Sequence, residues 1–156
     1  MRTPTFRRLA TATAALGTAL ALSVPAASAA SAGSDRLVPG EWYTVQLLTL
    51  RCNNISESGE DELYLKVDGG VAVPTSVCRE RQVLDYSQVD PWRFLFEGGT
   101  VLPVELWEQD PDVIDPDDKL GVFELNDTRV NATNIARIIK GTDYSYTLTY
   151  RVLPVV

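Results

Sequence analysis

From residue 42 onward the chain alternates between apolar and polar positions in short runs. "WYTVQLLTL" (42–50) is dense in β-formers. In "LYLKV", Leu63, Leu65 and Val67 share one face, with Tyr64 and Lys66 on the other. "VAV" (71–73) follows an Asp68-Gly69-Gly70 turn, as the second arm of a hairpin would. "WRFLF" predicts a strand with Trp92, Phe94 and Phe96 on one face, and Gly98-Gly99 turns the chain after it. In "VLPVELWE" (101–108), Val104 and Leu106 lie opposite Glu105 and Trp107, and Pro103 suits an edge or a strand's beginning. "LGVFEL" (120–125) is a further strand. Near the C-terminus Tyr144, Tyr146, Leu148, Tyr150 and Val152 alternate with Ser145, Thr147, Thr149 and Arg151. "NATNIARIIKG" (131–141) reads as helix or as strand, since Ile135, Ile138 and Ile139 have helical spacing in a β context. About eight short strands separated by turns predict an all-β fold, an eight-stranded antiparallel β-sandwich.

The first thirty residues follow a different pattern. Arg2, Arg7 and Arg8 precede an apolar run from Leu9 to Val24, then Pro25 and "AASAASA". This is the layout of a signal peptide cut near Ala29 or Ala30, and the run is short for a membrane span. The expectation is a leader (1–30), a loose segment (31–40) and one sandwich domain (41–156), exported from the cell.

Composition narrows the chemistry. There is no His, which removes the usual general base and the commonest transition-metal ligand. Ser–His and Cys–His nucleophile systems are excluded. The only cysteines, Cys52 and Cys78, predict one disulfide in an exported chain. The formal net charge is −7, and the leader holds three basic residues but no acid, so the mature part is more acidic still. Such a surface repels nucleic acid and anionic lipid and attracts cations or basic partners.

Two acidic stretches are candidates for one site. "EDELYLKV" puts Glu60, Asp61 and Glu62 at the head of a strand. "LWEQDPDVIDPDDKLG" (106–121) carries Glu108, Asp110, Asp112, Asp115, Asp117 and Asp118 against the single cation Lys119. Loops gather at the ends of a sandwich, so the two can be neighbours. Calcium takes six to eight oxygens, many of them carboxylate. The loop is no EF-hand: counted from Asp110, position five is Ile114 and position twelve is Gly121. The competing reading is a solvated acidic loop that aids solubility.

"EDELYLKVDG", "PWRFLFE" and "VELWEQDPDVIDPDDKLG" together resemble the C2 domain, the eight-stranded calcium-binding sandwich of protein kinase C and synaptotagmin. The resemblance spans roughly residues 41 to 153. It implies a C2-like fold and calcium held by Glu108 and Asp110, matching the family's Asp–x–Asp pair, by Asp118, and by Asp61 or Glu62. Asp112 and Asp117 would assist. The earlier acid of the family's first loop has Asn53, Asn54 and Glu57 as candidates here. The chain departs from the family at Glu108, Leu63 and Lys119, in a longer acidic loop and in the cysteine pair.

The resulting expectation is a secreted, non-catalytic binding module with calcium as its cofactor. Membrane docking is disfavoured by charge, although Val113 and Ile114 lie at the loop tip. Two alternatives stand beside it. One is a calcium-independent structural or inhibitory protein that binds a protein partner. The other is a small glycoside hydrolase using two carboxylates, with Trp42, Trp92 or Trp107 stacking on sugar.

Overall fold

The alternation along the chain becomes nine strands in the computed structural model, which describes residues 36–110, 116–126, 129–132 and 134–155. They are β1 (Trp42–Asn54), β2 (Asp61–Val67), β3 (Gly70–Cys78), β4 (Val83–Asp85), β5 (Leu95–Glu97), β6 (Leu102–Glu108), β7 (Asp118–Leu125), β8 (Ile135–Lys140) and β9 (Ser145–Pro154). One sheet has the order β4–β1–β9–β8, with β5 also on β1; the other runs β3–β2–β6–β7, and all pairings are antiparallel. The inward faces form one core. Leu47, Leu50, Tyr146, Leu148 and Tyr150 of the first sheet are fully buried, as are Leu63, Leu65, Leu106 and Leu125 of the second. Each such side chain contributes about 1.5–3 kcal/mol by leaving water.

Local chemistry sets the joints. β2 and β3 meet at a two-residue turn in which Asp68 (φ 50°) and Gly69 (φ 78°) are both left-handed. Paired left-handed residues match the twist of the flanking strands, and Asp-Gly is a favoured pair for it. Pro103 sits in the part of β6 that pairs with β7 alone, beyond the last β2 partner Glu105. It has no N–H to donate, and no strand lies there to ask for one.

The fold is the all-β sandwich the pattern predicts, with nine strands where about eight were expected. The three-residue β4 is too short to show as a hydrophobic period. "NATNIARIIKG" resolves as the strand β8: its backbone pairs with β9 from Ile135 to Lys140, and that tertiary pairing overrides the helical spacing of its isoleucines.

"WRFLF" is not one strand. Asp90 accepts a hydrogen bond from the Trp92 amide (3.0 Å) and Pro91 follows at the first helical position, so Pro91–Phe94 forms a 3₁₀ turn before β5. The turn breaks the two-residue period. Phe94 and Phe96 go into the core, whereas Trp92 is 60% exposed and does not join the core face.

Cys52 and Cys78 form the expected disulfide, with Cα atoms 6.5 Å apart, and it ties β1 of one sheet to β3 of the other. Such a bond belongs to an oxidising compartment. Among the described residues no helix is long and apolar enough to cross a membrane.

Candidate functional site

Strand alternation decides where each acidic side chain goes. Asp61 shares the inward face of β2 with Leu63 and Leu65, and it is fully buried. A buried polar group costs free energy unless it has hydrogen bonds. Asp61 has three: it accepts from the Ser56 amide (3.0 Å), the Glu57 amide (3.2 Å) and the Tyr146 hydroxyl. It thereby clamps the β1–β2 loop onto β9. Burial, and then the bond to Asp61 and its charge, push the Tyr146 phenol well above its ordinary pKa.

Glu108 ends β6 on the inward side, in step with Val104 and Leu106, and is 5% exposed. The Ser56 hydroxyl donates to it. Burial pushes its pKa from 4.5 up to about 7, against the pull of the Ser56 bond and helped by the nearby charges of Asp61 and Glu57. The charges that act on Glu108, those of Asp61 and Glu57, are both negative.

In front of Glu108 opens a cleft of about 430 Å³. Its walls come from three places: Ser56 and Glu57 of the β1–β2 loop, Asp118 and Leu120 of β7, and Gly141 to Tyr144 of the β8–β9 turn. Tyr144 closes one wall by donating to the Leu120 carbonyl (2.6 Å). Its ring lies where a side chain at Gly141 would be, since a Cβ there would come within 2.3 Å of it.

The candidate residues therefore divide. Glu108 and Asp118 face one another across the β6–β7 pairing and both line the cleft. Asp61 lies behind it as part of the clamp. Glu62 is on the other face of β2 from Asp61, outside the sandwich with Tyr64 and Lys66. Asp117 also belongs to that outer face, where it accepts from the Tyr64 hydroxyl (2.6 Å). Asp110 is half-buried just past β6 and is not among the cleft residues. Asp112, Val113 and Ile114 lie outside the described residues.

Three contributors were not foreseen: Ser56, Asp143 and Tyr146. Glu57 stood among candidates for the first loop. Asp143 had a faint signal, a "GTDYS" turn between two strand-like runs, but nothing local says which end of the sandwich it reaches.

The outer face of the second sheet holds its own cluster. The Lys66 ammonium lies over the Trp107 ring (4.0 Å to the centroid) and near that of Tyr64 (5.1 Å). Glu105 accepts from Trp107 Nε1 (2.9 Å) and pairs with Lys119 (2.5 Å). The Lys119 bond, then that of Trp107, holds the Glu105 carboxyl below its usual range.

The donor chemistry of the cleft, hard carboxylate oxygens open to water, fits calcium. The spacing fits less well: among the described residues no three acids stand close enough together to hold a metal ion. No known protein-family model matches this chain, and no curated protein matches it.

Proposed function

We propose that this chain is an exported, non-catalytic, C2-like binding module whose acidic cleft takes calcium. The observation that carries this reading is the convergence of Glu57, Glu108, Asp118 and Asp143 from separate segments on one open cleft. The raised Glu108 carboxyl supports it, because a cation would offset the burial, and after it the negative neighbours, that hold that proton. Glu108 and Asp118 would supply the central oxygens, with Glu57 and Asp143 drawn in from their loops. A bound ion would supply positive charge and rigidity at this end of the sandwich. Asp61 would keep its present task of holding the β1–β2 loop in place.

The experiment is a thermal melt in chelator, in calcium and in magnesium. An ion at tenfold excess over its dissociation constant adds roughly 1.4 kcal/mol, a rise of several degrees in a domain this size. The expected result is a calcium-selective rise that Asp118→Asn removes. Equal melts in all three solutions would sink the calcium reading. They would leave the second one, a calcium-independent module that binds a protein partner. That reading draws support from the carboxylates already engaged, Asp61 with the loop amides and Asp117 with Tyr64.

A further inference from the structure

The three longest strands of the first sheet contain no acid. β1, β8 and β9 together hold no Asp or Glu, in a chain with 21 of them and a net charge of −7. They do hold Arg51, Arg137, Lys140 and Arg151. Arg137 is engaged at the sheet edge, donating to the Glu124 carbonyl (3.2 Å) and to Asn126 (3.0 Å). The other three are exposed and form no ion pair among the described residues.

All three point away from the core. Arg51 is out of step with the buried Leu50 and Cys52, and it pairs with Thr147. Arg151 alternates with Tyr150 and Val152, and Lys140 pairs with Ser145. Between them runs a row of small hydroxyl side chains: Thr49 opposite Thr149, then Thr147, then Ser145. Asn53 donates to Thr147 Oγ1 (2.9 Å) and Ser145 Oγ (3.4 Å), which orders that row. Trp42 begins β1 on the same side and is 53% exposed. Acids enter only at the margin, Asp85 beside Thr49 and Glu97 beside Trp42.

We infer that the outer face of the β1–β9–β8 sheet is a docking surface for a carboxylate-bearing polysaccharide, a polyuronate chain. The charge is complementary, and it is placed against the sign of the whole molecule. Adjacent strands lie about 4.8 Å apart, so the hydroxyls and cations form a regular grid along which an extended polymer can lie. Exposed apolar side chains flank the middle of this face, Val83 beside Arg51 and Ile138 beside Thr147, but the middle itself is threonine, where a protein partner would want an aromatic or apolar anchor. The exposed aromatic is Trp42, at one end, where a sugar ring can stack.

The test is affinity electrophoresis with polygalacturonate at about 50 mM salt, with dextran and phosphatidylserine vesicles as comparison probes. Chelator is present throughout, so the acidic cleft takes no part and failure here is separate from failure of the calcium reading. The expected result is retardation by polygalacturonate alone, weakened as salt rises. The triple variant Arg51→Thr, Lys140→Thr, Arg151→Thr keeps strand-forming residues and should weaken binding at least about tenfold. Trp42→Ala should weaken it less. The pair Arg79→Thr and Arg81→Thr, in the β3–β4 turn, should leave it unchanged. No retardation, equal loss in the turn variant, or binding to vesicles in place of the polymer would each overturn the assignment.

Discussion

The two sheets of this sandwich treat charge in opposite ways. The second sheet carries Asp61, Glu62, Glu105, Glu108, Asp118 and Glu124 on its strands, and two of these are buried between the sheets. The long strands of the first sheet carry no acid. The difference shows that burial, more than net charge, decides what an acid does. Glu62 beside Asp61 in sequence is a surface group, whereas Asp61 holds a loop and Glu108 holds a proton near neutral pH.

The largest expected effect tests the covalent joint between the sheets. Replacing both Cys52 and Cys78 by Ala opens a loop of 26 residues, and denaturant melts should show a loss of about 3–4 kcal/mol. Next is the buried acid of the second sheet. Asp61→Ala leaves two loop amides and the Tyr146 hydroxyl without their acceptor, an expected loss of about 3 kcal/mol. A loss under about 1 kcal/mol there would mean that water replaces the carboxylate and the clamp is unimportant.

A smaller effect separates Glu108 from Asp61 through pH. Between pH 4.5 and about 7 the folded protein keeps a Glu108 proton that the unfolded chain has released. Stability linked to this group is therefore full below pH 4.5, falls as pH rises through about 7, and is level above that. Glu108→Gln can still accept from Ser56 but does not titrate. In chelator it should flatten that part of the pH profile and gain roughly 1 kcal/mol at pH 8. An unchanged profile would show that Glu108 ionises like a surface acid. The smallest effect belongs to the first sheet's margin. Trp92→Ala should change stability by less than about 0.5 kcal/mol, against about 3–5 kcal/mol for Phe94→Ala two residues on.

Much of this was legible along the chain. Period-two alternation in "LYLKV" and "VELWE" marks Leu63 and Leu106 as inward, and the same period carries inward to Asp61 and Glu108. The failure at Trp92 is also physical. An Asp-Pro pair starting a 3₁₀ turn outweighs alternation over so short a run.

By itself the sequence determined that the protein is a disulfide-bonded β-sandwich with two acidic stretches at strand ends. Side-chain period and residue type are local properties, so they are readable one segment at a time. Only the tertiary structure decided that Glu57, Glu108, Asp118 and Asp143 share a cleft, that Tyr146 reaches Asp61, and that Asp117 turns to Tyr64. Those meetings depend on which strands pair and how the two sheets stack, and that follows from the packing of the whole core.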